Sequence, residues 1–185
     1  MACTEVIEGR YVDLRSATIE DAEFTLAIRQ APEFSKWLPR IDNTIDQQRA
    51  WIERQREKAG DYFWVVWDKT GNRIGTISVY DVEGDCAETG RLAMRGNALQ
   101  SLEAQLLSFQ YAFYKIGLKK TVDYIYADNV RAMKLTLQFG GKTERMEERD
   151  GRSTYKMIID KVAFENAEQT IKRFLYREEK GKEKK

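Results

Sequence analysis

The 185-residue chain contains no histidine. That absence excludes Ser-His-Asp and Cys-His nucleophile systems and every His-ligated metal site. Acid–base chemistry therefore falls to Glu, Asp, Tyr, Lys, Cys or water. Two cysteines, Cys3 and Cys86, are too few for a disulfide framework or a zinc site, so no metal is expected. No apolar run approaches the roughly 20 residues that cross a bilayer, and MACTEVIEGR is too polar for a signal peptide. The expectation is a chain with no membrane partner, at home in the reducing cytoplasm. Neither sign of charge prevails: 31 basic residues against 30 acidic ones leave a formal charge of +1. That balance gives no electrostatic reason to expect nucleic acid.

What is present is the composition of a globular domain. Hydrophobic residues make up 42% and charged residues 33%, and the length suits one domain with a sizeable core. Tyr11–Arg15 alternates and reads as a strand. Thr18 with Asp21 resembles a helix start, and an apolar face runs from Ile19 to Arg29 until Pro32 breaks it. Phe34, Trp37, Leu38 and Pro39 form an aromatic loop. Thr44 followed by Gln47 is a capping box, opening a helix to about Lys58, with Trp51 and Ile52 on its inner side and Gly60 at its end.

Tyr62–Trp67 is rich in aromatic and β-branched residues. It leads through the turn Lys69–Asn72 into a second strand, Arg73–Tyr80, and after Asp81–Asp85 into a third near Ala87–Met94. Leu99, Leu102, Leu106, Phe109, Phe113 and Ile116 then recur at helical spacing, with Gly117 as the stop. A strand over Lys120–Tyr126, a helix over Asn129–Phe139, two strands near 142–148 and 153–160, and a charged helix over 161–180 complete the order. The terminal GKEKK reads as a solvated tail. Residues 1–160 are expected to form one domain, followed by the helix and tail of 161–185.

Between the third strand and the long helix lies Arg95-Gly96-Asn97-Ala98-Leu99-Gln100-Ser101, where many α/β proteins hold phosphate. Downstream lies Tyr124-Ile-Tyr-Ala-Asp-Asn-Val-Arg-Ala-Met-Lys-Leu-Thr-Leu-Gln-Phe-Gly140. A strand ending in Asn, an Ala three residues later and Phe-Gly at the helix end resemble the GNAT superfamily of N-acetyltransferases. Ala112-Phe113 followed by Gly117-Leu118, and the order of elements over residues 9–160, also resemble it. A looser likeness runs through Gly9–Arg15, Asp21–Phe24, Ile28-Arg29, Gln48, Trp51-Ile52 and Gly75–Asp81. It points to acetyltransferases of bacterial surface-polysaccharide pathways, which modify nucleotide-linked amino sugars.

The resemblance implies an α/β (α+β) fold with a central mixed, mostly antiparallel sheet of about seven strands flanked by helices. It implies acetyl transfer from acetyl-CoA to a primary amine, with a monomer or homodimer as the working form. Leu92, Ala93 and Met94 match the strand that holds the pantetheine arm through backbone groups. Arg95, Gly96, Asn97, Ala98, Leu99, Gln100 and Ser101 match the pyrophosphate loop, where unpaired helix N–H groups and the dipole favour an anion. The family's later glycine slots fall on Ala98 and Gln100, so this loop lacks the close approach that glycine allows.

Asn129 and Ala132 match cofactor contacts beside the fifth strand, although Asn129 is equally suited to be an N-cap. The family's tyrosine acid falls on Thr136, a poor proton donor. Tyr126 and Tyr80 are candidates to replace it, and Glu88 is the best placed carboxylate for a base. Arg29 and Trp37 are candidates for the acceptor side, with Arg29 pairing phosphate and Trp37 stacking on a sugar or base. Two alternatives stay open: acetylation of a protein N-terminus, as in ribosomal-protein acetyltransferases, and a degenerate module that binds CoA without turnover.

Overall fold

A computed structural model describes residues 5–177; Cys3 and the GKEKK tail lie outside them. Eight strands form one sheet: β1 (Ile7–Glu8), β2 (Val12–Ser16), β3 (Tyr62–Asp68), β4 (Arg73–Glu83), β5 (Cys86–Met94), β6 (Lys120–Tyr126), β7 (Lys142–Arg149) and β8 (Arg152–Asp160). Their spatial order is β1-β2-β3-β4-β5-β6-β8-β7. Every neighbouring pair is antiparallel except β5 and β6. The helices are α1 (Ala22–Gln30), α2 (Pro32–Ser35), α3 (Ile45–Glu57), α4 (Ala98–Gln110), α5 (Val130–Gln138) and α6 (Lys161–Leu175). The α/β class and the mixed, mostly antiparallel sheet agree with expectation. The strand count is eight rather than about seven, because two-residue β1 is too short to carry a periodic signal.

Local chemistry explains most boundaries. Thr44 accepts from the Gln47 N–H at 3.3 Å while the Gln47 side chain accepts from the Thr44 N–H at 2.8 Å, so the capping box opens α3 as read. The segment from Ile19 begins as a 3₁₀ turn, Ile19–Asp21, before α1. Ala31, held extended by the following proline, ends α1, but Pro32 then sits in the first turn of the short helix α2 instead of opening a loop. The long helix is α-helical only to Gln110 and continues as a π-helical stretch over Tyr111–Ile116. That stretch places Tyr111 edge-on to Tyr62 and Trp64, at 5.2 Å from each. Gly117 closes it in the left-handed region, φ 86°, where glycine carries no steric penalty.

The main core lies between the sheet and α4, α5 and α6. Leu14, Trp64 and Val79 from the strands meet Leu106, Phe109 and Phe113, together with Phe139, Phe164 and Leu175. A smaller core of Ala17, Phe63 and Val65 lies under Trp51 and Phe24, on the face covered by α1 and α3. Glu103 of α4 is fully buried. It accepts the backbone N–H groups of Arg10, Tyr11 and Val12 at 2.9, 2.6 and 2.9 Å, tying the start of the sheet to the helix.

One feature of the sheet positions the site. The parallel ladder joins Cys86 to Lys120, Ala87 to Thr121 and Glu88 to Val122, and then stops. Beyond Glu88 the two central strands part. β5 also carries a bulge against β4, with Arg91 at φ 49° and its carbonyl accepting from Thr76 Oγ1 at 2.8 Å.

Candidate active site

A cleft of about 440 Å³ opens where β5 and β6 part, roofed by Gln105, Ser108 and Phe109 of α4 and by Ala132, Leu135 and Thr136 of α5. It is lined by Glu88, Leu92, Tyr126, Asn129 and Ala132, and also by Arg29, Trp37 and Tyr80. Eight residues singled out from the sequence, drawn from six separate segments, therefore line one cavity. The pantetheine and pyrophosphate candidates divide. Leu92 is in the cleft wall, whereas Ala93 and Met94 are buried, with Met94 in the main core. Arg95–Ser101 form the mouth of α4 beyond the cleft lining.

That mouth differs from the expectation in one respect. Asn97 is the N-cap of α4, accepting from the Gln100 N–H at 3.0 Å, while Gln100 Oε1 accepts from the Asn97 N–H at 2.9 Å. The reciprocal pair uses the Gln100 amide, leaving the Ala98 and Leu99 N–H groups at the positive end of the helix. Arg95 is half exposed and 3.4 Å from Glu33.

Glu88 holds its place between two partners. Tyr80 Oη donates a short hydrogen bond to Glu88 Oε1, and Arg149 approaches Glu88 Oε2 at 3.6 Å. Burial, followed by the negative charge of Glu88, pushes the Tyr80 hydroxyl well above its ordinary range, so it stays protonated and acts as a donor. Tyr126 lies under the Arg152 guanidinium, at 3.8 Å from ring centroid to Cζ. Asn129 caps α5, its Oδ1 accepting from the Ala132 N–H at 3.2 Å.

Several cleft residues were not anticipated from the sequence. Arg91 projects from the bulge, makes a two-point pair with buried Asp61 at 2.7 and 3.2 Å, and lies 4.0 Å over the Tyr80 ring. Arg149 covers Tyr124 at 3.8 Å. Asp123 of β6 lies deep in the cleft, accepting from Thr89 Oγ1 and, at 2.8 Å, from Thr136 Oγ1. Burial pushes its carboxyl up to about 6 against the pull of those two hydroxyls. These side chains depend on where β5 and β6 separate and where the bulge turns Arg91, and no short-range pattern reports either.

Arg29 carries a half-buried charge with little compensation. Its Nη2 donates to the Pro39 carbonyl at 2.9 Å, and its buried Nε has no partner. Among the described residues no carboxylate pairs with it. Burial, then repulsion from Arg91, lowers its affinity for its proton. Together with Arg152, which donates to the Lys36 carbonyl at 2.6 Å, Arg29 pins the Trp37-bearing loop over the cleft.

The chain's own groups fit a CoA thioester. β5 beyond Glu88 offers an unpaired backbone edge to an arm that carries amides, and the open end of α4 offers N–H groups and Arg95 to a pyrophosphate. The model of the acetyltransferase (GNAT) domain family matches residues 12–142. No curated protein matches the chain in sequence. Among solved structures, FdhC, a nucleotide-linked sugar GNAT, superposes with a TM-score of 0.80 at 18% identity, over 94% of this chain and 99% of that one. A GCN5-related N-acetyltransferase from Brucella melitensis gives 0.78 at 19% identity, over 95% and 87%. Spermidine N-acetyltransferase from Vibrio cholerae, in complex with CoA and spermine, gives 0.76 at 17% identity, over 85% and 100%. At these identities the likeness to solved structures is one of fold.

Proposed function

Because the chain belongs to the GNAT acetyltransferase family, a family of CoA-dependent N-acetyltransferases, we propose that its acceptor is a small amine that also carries negative charge, such as a nucleotide-linked amino sugar. Acetyl-CoA supplies an acetyl thioester activated toward amines. The acceptor class rests on Arg29, a guanidinium in the cleft wall with an unpartnered buried Nε and no carboxylate beside it. A phosphate offers the acceptor oxygens that Arg29 lacks, in the forked geometry suited to guanidinium. Arg91, whose charge is felt at Arg29, adds to the same potential. Trp37, in the pinned turn after α2, lines the cleft and offers its ring to a sugar or base.

In this reading Glu88 takes a proton from the incoming ammonium, directly or through water, and Tyr80 and Arg149 hold the carboxylate in place. The free edge of β5 binds the arm, and one of its N–H groups stabilises the developing oxyanion, a contribution of about 3 kcal/mol for such a donor elsewhere. Asn129, with its oxygen used by the cap, offers its amide nitrogen to the cofactor. Tyr126 closes the acceptor side. The two arginine-pinned loop contacts keep the cleft narrow, so rate comes largely from positioning.

The experiment is an acceptor screen with acetyl-CoA, read as free thiol, across nucleotide-linked amino sugars, spermidine and peptides with free N-termini. The expected result is turnover of the anionic amines, with Arg29→Gln raising KM at least tenfold for them. Preference for spermidine or for peptides, or an unchanged KM in Arg29→Gln, would overturn the reading.

A further inference from the structure

The sulfur that leaves in acetyl transfer needs a proton, and Thr136 lines the cleft, but its hydroxyl alone is too weak an acid to serve. The structure supplies a stronger acid directly behind it. Asp123 Oδ2 and Thr136 Oγ1 are 2.8 Å apart, and both residues line the cleft where β5 and β6 part. Asp123 is 8% exposed and Thr136 is 2% exposed. Thr89, one residue past the last rung of the parallel ladder, bonds the other carboxyl oxygen. The carboxyl is thus held on both sides by hydroxyls, and each hydroxyl can donate or accept.

We infer that Asp123 and Thr136 together deliver the proton that the leaving CoA sulfur requires, with Thr136 in contact with the sulfur and Asp123 as the positioning residue that supplies the proton through it. When Asp123 is protonated, its O–H donates to Thr136 Oγ1, and the Thr136 hydrogen turns into the cleft. As the carbon–sulfur bond breaks, the sulfur takes the Thr136 proton and Thr136 takes the Asp123 proton. Asp123 is left as a carboxylate accepting from Thr136 and Thr89, the arrangement in which both hydroxyls donate to it. Water entering the opened cleft restores its proton. No oxidant or further co-reactant is involved.

The surroundings suit that cycle. The charged group felt at Asp123 is Glu88 of β5, which favours the neutral acid. α4 presents the neutral Gln105 and Ser108 to the cleft, and α5 presents Thr136. On β8, the residue in register with Asp123 is Met157. Among the described residues no cation pairs with Asp123. Its raised affinity for the proton, about 6, follows from burial and, to a lesser degree, from the Glu88 charge, against the pull of the two hydroxyls.

The test uses the full chain and needs no assumption about the acceptor. Difference infrared spectroscopy follows the protonated-carboxyl band between pH 4 and 8 with and without CoA. The band should be present in the wild type, absent in Asp123→Asn, and shifted by CoA in the wild type but not in Thr136→Val. With any amine that the acceptor screen returns, kcat should fall at least tenfold in Asp123→Asn and in Thr136→Val at unchanged CoA affinity. The descending alkaline limb of the kcat profile should vanish in Asp123→Asn, and Thr136→Tyr should restore turnover. An Asp123 band unmoved by CoA, or Thr136→Val with full kcat, would overturn the assignment. So would Asp123→Asn that lowers melting temperature and CoA affinity together while keeping the wild-type pH profile, because a simple brace between the strands would behave in that way.

Discussion

Asn129 Oδ1 accepts the Ala132 N–H at 3.2 Å, while its amide nitrogen makes no hydrogen bond to the described protein and lies at the cleft wall. The two uses foreseen for Asn129 therefore fall on opposite ends of one amide. The oxygen caps α5, and the nitrogen is free for a ligand.

Replacing Asn129 separates these uses. Asn129→Asp keeps an acceptor for the cap and adds a negative charge where the helix dipole favours one. Stability is expected to hold within a few tenths of a kcal/mol, while acetyl-CoA affinity falls about tenfold with the lost donor. Asn129→Ala loses both and costs about 1 kcal/mol in stability. Urea unfolding and the acetyl-CoA-induced rise in melting temperature measure the two effects separately. An Asn129→Asp protein with an undiminished thermal response would leave Asn129 as a cap alone.

Gly96 bears on the proposed pyrophosphate mouth of α4. A Cβ there would lie 2.8 Å from Gln100 Oε1 and 3.0 Å from Ile74 Cδ1. Gly96→Ala should therefore displace the Gln100 side chain from the Asn97 N–H and fray the start of α4, at a cost of roughly 1 kcal/mol. Acetyl-CoA affinity should fall severalfold at the same time. Titration calorimetry with CoA provides the check, and an unaltered dissociation constant would remove the α4 mouth from the binding site.

The sequence carried this fold unevenly. Local signals were strong for α3, whose Thr44–Gln47 box formed as read, and for Gly117, whose left-handed conformation ends the long helical run. β1 escaped notice because two residues carry no period, and the π-helical stretch at Tyr111–Ile116 escaped because its apolar spacing still resembles an α-helix. In the site, Glu88, Asn129, Arg29 and Trp37 were legible from their segments and now line one cleft. Arg91, Arg149 and Asp123 were not. Arg91 reaches the cleft through a bulge, Arg149 from the end of a distant hairpin, and Asp123 matters because the strand beside it departs one residue past Glu88. Each depends on pairings between residues far apart in the chain.

Glu103 is a structural charge, and its removal should show that. Its carboxylate accepts three backbone N–H groups, from Arg10, Tyr11 and Val12. Glu103→Gln places an amide N–H against one or more of these donors and removes the charge that strengthens the bonds. The expected loss is about 3 kcal/mol, measured by urea unfolding at pH 7. The acetyl-CoA-induced rise in melting temperature should persist, because Glu103 lies outside the cleft lining. A selective loss of that response would give Glu103 a functional part that the geometry does not.

Asp123 makes the pH dependence of stability testable. Its carboxyl is raised from an ordinary 3.8 to about 6 in the folded protein. The folded state thus binds this proton more tightly than the unfolded chain does. For a group shifted in this direction, the stabilising contribution is complete below the unfolded value and is lost as pH rises through the folded one. Between pH 4 and 6 the wild type should lose roughly 2 kcal/mol of the roughly 3 kcal/mol attributable to Asp123, and the rest outside that window. Asp123→Asn, which cannot ionise, should not show that loss. The measurement is the difference in unfolding free energy between the two proteins at each pH, so that contributions from the other carboxylates cancel. The wild type should lose ground against the variant steadily across the window and level off above pH 7. A flat difference would mean that Asp123 titrates near its ordinary value in the fold, and that the threonine hydroxyls hold it as a carboxylate despite its burial.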